Sequence, residues 1–262
     1  MEARISGTTK LFGLIGSPVS HSASPAMQNY GFQACGVDGA YLAFDIKEEE
    51  VPEFVKSMRL LNIQGCNVTM PNKTAAAQNM DELSPAAELI GAVNTIVNRD
   101  GKLFGYNTDF AGFLYNLNAH GITLKDKKVM ICGSGGTCKT VTAVAEYMGA
   151  KEILVVSRSK KENTVTYEEC IRHKDVDVIV NASPKGMHPN NGESPLDLSN
   201  FPSCKAVVDV IYNPLKTRLL QQAEQLGMKA VNGLEMLVAQ AKFAVEHFLS
   251  TEIENDKIGQ IT

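Results

Sequence analysis

The sequence predicts an α/β protein of two domains. Short apolar runs alternate along the chain with stretches of helical periodicity, the pattern of strands joined by helical crossovers in parallel sheets. One of these runs ends in a glycine-rich turn at 133–136 that leads into a helical stretch, as in folds that bind phosphate groups. A chain of 262 residues is long enough to form two moderate hydrophobic cores.

The order of these elements can be read along the chain. Seven apolar runs are predicted strands, at 11–16, 40–46, 66–70, 129–133, 152–157, 177–182 and 206–212. Helices are predicted at about 24–35, 48–60, 109–120, 136–148, 215–227 and 233–248. The segment 98–107 has an Asp-Gly turn between strand-like flanks, so we predict a hairpin or an edge feature there, followed by a domain boundary near residue 107.

Composition excludes several classes of function. The chain has 25 basic and 29 acidic residues, and a net charge of −4 gives no electrostatic basis for binding nucleic acid or an anionic membrane. Six cysteines are scattered without a CxxC pair or zinc spacing, so we expect free thiols and no metal site. The first ten residues lack a signal-like apolar core, and no run is long enough to cross a bilayer. We therefore expect a soluble cytoplasmic protein.

The stretch HSASPAMQN at 21–29 contains two serines before a proline. Ser24 is predicted as the N-cap of a helix with Pro25 at its first position. Ser22 is not needed for capping. With Ser24 and the positive end of the helix dipole it could donate to a small anion such as a carboxylate, although ordinary capping is the simpler interpretation.

The stretch VMICGSGGTCKT at 129–140 has the order strand, glycine turn, helix. Gly133, Gly135 and Gly136 would let backbone N–H groups approach a diphosphate, and Cys138 takes the place of the last glycine of the usual pattern. After the next strand, SRSKK places Arg158 where an NAD site would have an acidic residue, which favours the 2′-phosphate of NADP. A solvated basic loop is the alternative, and the roles of Lys160 and Lys161 stay open.

Two loop positions carry candidate acid–base chemistry. Lys73 follows the predicted strand at 66–70 and a proline, and Asp109 lies at a junction between loop and helix, where aspartate is usually a cap. Hydride transfer from a secondary alcohol needs a group that takes the hydroxyl proton and a carboxylate that orients it. The spacing leaves open whether the two side chains meet.

Seven motifs occur in the order and approximate spacing of one enzyme family. They are HSASP, NVTMPNK, GAVNT, GYNTD, GSGGT, DVIYNPLKT and GLEMLVAQA. On these motifs the chain resembles shikimate dehydrogenases over nearly its whole length. The resemblance implies a substrate-binding catalytic domain with a mainly parallel sheet at 1–106 plus 233–262, and a Rossmann NADP-binding domain at 107–232.

The resemblance also implies roles for individual residues. Lys73 corresponds to the catalytic base and Asp109 to its partner at the same substrate hydroxyl. The substrate-binding residues implied are Ser22, Ser24 and Tyr212 at the carboxylate and Thr69, Asn94 and Gln240 at the ring hydroxyls. The cofactor-binding residues implied are Gly133, Ser134, Gly135, Gly136 and Thr137 at the diphosphate, Arg158 by the adenine and the 2′-phosphate with Ser157 directly before it, and Gly233 near the nicotinamide. The loop 181–187 matches one beneath the nicotinamide.

The chain departs from the family pattern in two places. Ser157 replaces the usual Asn, and the stretch 159–175 is short, as if a crossover helix were trimmed. We expect an NADP-dependent oxidoreductase that interconverts 3-dehydroshikimate and shikimate, as a monomer or homodimer. The alternatives are a quinate/shikimate dehydrogenase that uses NAD and a non-catalytic sensor that binds shikimate.

Overall fold

The computed structural model describes residues 5–22, 24–34, 36–160 and 162–255, and it confirms the α/β class. By its internal contacts the chain divides into two units. The first comprises Met1–Thr108 and Ala244–Glu252, and the second comprises Asp109–Phe243 and Ile253–Thr262.

The first unit is built on a six-stranded, mixed sheet. Its strands are β1 (Lys10–Gly16), β2 (Gly39–Asp45), β3 (Gly65–Val68), β4 (Glu82–Leu83), β5 (Thr95–Arg99) and β6 (Lys102–Tyr106). Their order is β2-β1-β3-β5-β6-β4, and β5 runs antiparallel to both of its neighbours. The helices are α1 (Ser24–Ala34), α2 (Val51–Leu60), α3 (Lys73–Ala77) and α4 (Pro85–Ile90), with a short 3-10 turn at Glu48–Glu50 before α2.

The hairpin predicted at 98–107 is confirmed. Arg99 pairs with Lys102, and the two residues between them, Asp100 and Gly101, have positive φ angles of 52° and 87°. These are the backbone angles of a tight two-residue hairpin turn. The hairpin is not at an edge, because β6 also pairs with β4.

The second unit contains a six-stranded, parallel sheet. Its strands are β7 (Lys128–Cys132), β8 (Glu152–Ser157), β9 (Thr164–Thr166), β10 (Val178–Asn181), β11 (Ala206–Asp209) and β12 (Lys229–Val231). Its helices are α5 (Thr108–Ala119), α6 (Gly136–Tyr147), α7 (Tyr167–Cys170) and α8 (Arg218–Gln225). The order β12-β11-β10-β7-β8-β9 reverses direction between β7 and β10, so a ligand crevice is expected at the carboxyl ends of these two strands.

Several boundaries differ from the predicted ones. The strand predicted at 206–212 ends at Asp209, because the buried Asp209 carboxylate accepts a hydrogen bond from the Ile211 N–H and turns the chain. The strand predicted at 66–70 ends at Val68, and α8 begins at Arg218, after Thr217 accepts the Leu220 N–H as N-cap. In the described part of 159–175, the only helix is the four-residue α7, which agrees with the predicted trimming.

The long helix α9 (Leu234–Leu249) contributes to the cores of both units. Met236 is buried with the β7 and α5 side chains of the second unit, and Phe248 packs on Phe12 of the first. Five cysteines are buried free thiols, at 66, 132, 138, 170 and 204, while Cys35 lies outside the described residues. Among the helices described, none combines the length and the apolar character that a membrane crossing requires.

Candidate functional site

The glycine turn after β7 lies against the loop that follows β10. Gly133 has a φ of +109°, which favours glycine, and its N–H donates to the Val156 carbonyl oxygen over 2.9 Å. A Cβ atom on Gly133 would lie 2.9 Å from the Ala182 carbonyl oxygen. The turn therefore depends on a residue without a side chain at this position.

The rest of the turn is exposed. Ser134, Gly135, Gly136 and Thr137 all face solvent, and α6 begins at Gly136 with Gly135 as an extended N-cap. Helix N-termini leave several backbone N–H groups without a partner in the helix, and their dipole favours an anion. Cys138 is buried where the usual pattern has its last glycine. The turn thus fits a diphosphate group.

The end of β8 is joined to the glycine turn through two hydroxyl groups. The Ser157 hydroxyl lies 3.2 Å from the Ser134 hydroxyl, so the serine that replaces the usual Asn is buried against the turn. Arg158 follows directly and is exposed. Lys160 instead forms an ion pair with Glu169 over 2.8 Å, and Lys161 lies outside the described residues. Arg158 therefore occupies the position at which this fold distinguishes the ribose hydroxyl from its 2′-phosphate.

Asp209, at the end of β11, is fully buried and bonded to three donors. Its carboxylate accepts from Asn181 Nδ2 over 3.0 Å, from the Ile211 N–H over 3.1 Å and from Thr217 Oγ1 over 2.7 Å. Burial raises the pKa of Asp209 to about 6, and the three hydrogen bonds act in the opposite direction. The three donors compensate for the water that the buried carboxyl has lost.

The loop after β11 carries Tyr212, which is 48% exposed and so available to a ligand. The loop is bonded to the residues before α9, since the Gly233 N–H donates to the Ile211 carbonyl oxygen over 3.0 Å. A Cβ atom on Gly233 would overlap the Val210 carbonyl oxygen. Gly233 is therefore required for the close approach of the two backbone segments.

In the first unit, Ser22 and Ser24 lie at the start of α1 and both are half-buried. The structure corrects the predicted capping: the helix begins at Ser24 itself, and Ser22 Oγ accepts the Ser24 N–H over 3.2 Å. The Ser22 hydroxyl thereby satisfies one of the backbone N–H groups that the start of a helix leaves without a partner. Both hydroxyl groups lie at the positive end of an eleven-residue helix.

Thr69 and Lys73 are on the turn that leads from β3 to α3, and both are half-buried. The Thr69 N–H donates to the Ile15 carbonyl oxygen over 2.8 Å, which holds this turn against the end of β1. A Cβ atom on Gly16 would overlap Thr69 Cγ2, so glycine at the end of β1 gives the Thr69 side chain its space. Lys73 is the first residue of α3, and its carbonyl oxygen accepts the Val93 N–H over 2.9 Å.

Asn94 is buried, and its amide orientation is fixed by its neighbours. Its Oδ1 atom accepts from the Thr108 N–H over 2.8 Å, and the hydroxyls of Thr108 and Thr95 lie 3.2 and 3.1 Å from it. Among the described residues, none accepts a hydrogen bond from Asn94 Nδ2. The polar group that Asn94 presents to a ligand is therefore a donor.

Asp109 and Gln240 belong to the second unit. Asp109 is half-buried in the first turn of α5, directly after Thr108 in the chain, and is not the N-cap. Gln240 lies half-buried on α9. A Cβ atom on Gly112 would lie 2.7 Å from the Met236 carbonyl oxygen and 3.1 Å from Gln240 Cβ, so α5 and α9 are in close backbone contact there.

Comparisons with known proteins identify the family of this chain. Residues 14–96 match the family model described as the shikimate dehydrogenase substrate binding domain. The whole chain aligns with shikimate dehydrogenase (NADP(+)) of Alkaliphilus metalliredigens, at 37% identity over 282 residues that cover 99% of that protein. The chain belongs to the shikimate dehydrogenase family. The family predicted from the seven motifs is thereby confirmed.

Solved structures of the shikimate dehydrogenase family have the same fold. Shikimate 5-dehydrogenase from Listeria monocytogenes, solved in complex with shikimate and NAD, superposes with a TM-score of 0.87 at 37% identity and 98% coverage of both chains. Shikimate 5-dehydrogenase from Thermus thermophilus, in complex with NADP(H) and shikimate, gives a TM-score of 0.83 at 34% identity over 96% of this chain and 97% of that one.

The shikimate dehydrogenase motifs predict the candidate side chains, but they did not reveal two residues that hold the site in place. Asp209 and Thr108 lie inside recognised motifs, but they were not assigned a role. Asp209 could have been found because an aspartate within the apolar run AVVDV is unusual in a buried parallel strand. Thr108 carries no comparable signal, since its partner Asn94 is known only from the structure.

Proposed function

We propose that this protein is an NADP-dependent shikimate dehydrogenase. It catalyses the reversible NADPH-dependent reduction of 3-dehydroshikimate to shikimate, in the pathway to chorismate and aromatic amino acids. The observation that carries the proposal is a match over the full chain to a relative named shikimate dehydrogenase (NADP(+)). The exposed glycine turn at the start of α6 and Arg158 after β8 support the choice of cofactor.

The two domains have separate roles in this proposal. Residues 1–106 with 233–262 form the substrate-binding catalytic domain, and residues 107–232 bind NADP. The family-model match at 14–96 supports the first assignment. The glycine turn, Ser157 and Arg158 support the second, because all lie at the carboxyl ends of β7 and β8 in a parallel sheet. Gly233, directly before α9, contributes backbone near the nicotinamide.

The substrate is held by donors that match its oxygens. Ser22, Ser24 and Tyr212 bind the carboxylate of the substrate, with the start of α1 adding a favourable dipole. Thr69, Asn94 and Gln240 bind the ring hydroxyls. Asn94 acts as a donor because its Oδ1 atom is already engaged by Thr108 and Thr95.

Lys73 and Asp109 carry the proton transfer. The reduced nicotinamide, when bound, supplies a hydride to the ketone carbon of 3-dehydroshikimate. Lys73 donates a proton to the oxygen that gains negative charge, and the ketone becomes the hydroxyl of shikimate. Asp109 orients the ammonium group and balances its charge. In the reverse direction Lys73 accepts the proton of that hydroxyl.

The test is a set of initial rates at the absorbance of reduced nicotinamide. Shikimate and quinate are each combined with NADP and NAD. We expect the highest kcat/KM for shikimate with NADP. A preference for NAD with activity on quinate would support the quinate/shikimate dehydrogenase, and shikimate binding without turnover in any combination would support the sensor. Either result would overturn the proposal.

Arg158 gives a separate prediction for cofactor choice. Arg158→Ala is expected to raise the KM for NADP about ten- to a hundredfold, because a charge-assisted contact to the 2′-phosphate is lost. The KM for NAD, which has no 2′-phosphate, should change by about twofold or less. Lys160→Ala is the matched control, since Lys160 pairs with Glu169. Equal losses with both cofactors would contradict the assignment.

We propose a cytoplasmic location and a monomeric or homodimeric state for the enzyme. The six scattered cysteines, which have no CxxC pair or zinc spacing, support the location. Light scattering of the purified protein distinguishes the two oligomeric states.

A further inference from the structure

Asp209 connects two loops, and the proposed chemistry gives no role to this connection. On one side it accepts from Asn181 Nδ2, the last residue of β10. On the other it accepts from both ends of the loop after β11, the Ile211 N–H and the Thr217 hydroxyl. The loop at 181–187 and the loop at 210–217 are thus attached to the same fully buried carboxylate.

Each loop is further ordered by the residue that Asp209 contacts. The Asn181 Oδ1 atom accepts from the Ser183 N–H over 3.1 Å and from Ser183 Oγ over 2.7 Å, and its Nδ2 also donates to the Lys185 carbonyl oxygen over 3.2 Å. With Nδ2 held by Asp209, the amide of Asn181 has one orientation, and that orientation defines the turn at 181–185. Thr217 is at the same time the N-cap of α8.

The two loops lie where the second half of a dinucleotide is expected. They follow β10 and β11, on the opposite side of β7 from β8, whose end carries Arg158. A dinucleotide that binds such a sheet lies across the carboxyl ends of the strands, at the point where the strand order reverses. The adenosine half then lies at β8, and the nicotinamide half lies toward β10. Ala182 also packs directly against Gly133 of the glycine turn.

We propose that Asp209 is a positioning residue for the nicotinamide half of the cofactor site, acting through Asn181 and Thr217 on the two loops. This inference rests on the proposed function only for the identity of the dinucleotide. Asp209 itself touches neither cofactor nor substrate in this assignment.

The groups around the Asp209 side chain are hydrogen-bond donors, so the side chain at this position has to be an acceptor. All three partners donate, so a carboxylate satisfies each of them without a rearrangement. In Asp209→Asn one acceptor oxygen becomes an N–H2 group. In one orientation that group would face two other donors, Asn181 Nδ2 and the Ile211 N–H. In the other orientation it would face the Thr217 hydroxyl, whose oxygen already accepts the Leu220 N–H. In the first orientation two donors lose their acceptor. In the second, the Thr217 hydroxyl must reverse its hydrogen bond and loses its charge-assisted donation to a carboxylate, so at least one loop attachment is lost or weakened although the volume is unchanged.

The test compares two ligands on the full-length protein. NADP⁺ spans both halves of the site, whereas adenosine 2′,5′-bisphosphate occupies only the adenosine half. For Asp209→Asn we expect the Kd of NADP⁺ to rise about tenfold. The Kd of adenosine 2′,5′-bisphosphate should stay within about twofold of wild type, since Arg158 and the glycine turn are unchanged.

A second pair of variants keeps the test decisive if Asp209→Asn does not fold. Thr217→Val removes the hydroxyl that donates to Asp209 and should weaken the binding of NADP⁺ but not that of adenosine 2′,5′-bisphosphate. Thr217→Ser keeps the hydroxyl and should bind NADP⁺ as wild type does. The positioning role would be overturned if the Kd values of both ligands rose equally, or if the Kd of NADP⁺ did not rise. It would also be overturned if the valine and serine variants bound NADP⁺ with the same Kd. Failure of the proposed function is separate, because it would already be evident in wild-type turnover of shikimate.

Discussion

Replacing Lys73 with alanine is expected to lower kcat by roughly two to four orders of magnitude, the usual contribution of a positioned acid–base group. Without the ammonium group, the oxygen that becomes negative during hydride transfer must take its proton from water. Binding of NADP⁺ should persist, because Lys73 belongs to the first unit and the glycine turn to the second. The measurements are steady-state rates with saturating shikimate and a titration of NADP⁺.

The control for this loss is a lysine of the same unit without a proposed role. Lys56 pairs with Glu53 over 3.1 Å, and their side chains are 71% and 75% exposed, so Lys56→Ala should leave kcat within about twofold. Alanine is also a good residue for α3, which already contains three alanines, so the helix should be retained. A Lys73→Ala enzyme with near-normal turnover would remove the proposed mechanism.

The elements that the sequence predicted are those with a strong local signal. The Asp-Gly turn between β5 and β6 needs positive φ at two successive residues, and this requirement is visible in the residue types themselves. The runs of β7, β10 and β11 are continuous and apolar because parallel strands are buried on both faces. The missed strands, β4, β9 and β12, have two or three residues, too few for periodicity to distinguish them from loops.

The residues of the candidate site also fall into those that the sequence could predict and those that it could not. Side chains that would contact a ligand lie in motifs, so Lys73, Arg158 and the glycine turn could be predicted from sequence. Residues that hold them act through contacts between distant parts of the chain, and no local pattern records such contacts. Asn181 and Asp209 are 28 residues apart in sequence, and only the pairing of β10 with β11 brings them together.

The glycine turn gives the second large expected effect, a loss of stability in Gly133→Ala. A side chain at φ +109° costs about 1–3 kcal/mol, and overpacking against the Ala182 carbonyl oxygen costs a similar amount. Together these terms are a large part of the roughly 5–15 kcal/mol that stabilises a typical domain. We expect a fall in Tm of about 5–15 °C and weakened NADP⁺ binding.

Gly136→Ala, three residues away, separates folding from binding. Gly136 is the first residue of α6. Apart from its chain neighbours and the backbone of its own helix, no described atom lies within 4 Å of the position of its Cβ, so the Tm should be unchanged or slightly higher. The added methyl group nevertheless lies on the exposed turn to which the proposed function assigns the diphosphate, so NADP⁺ binding should weaken. If Gly136→Ala binds NADP⁺ as wild type does, the turn is a structural element only, because its exposed N–H groups would then have no ligand to accommodate.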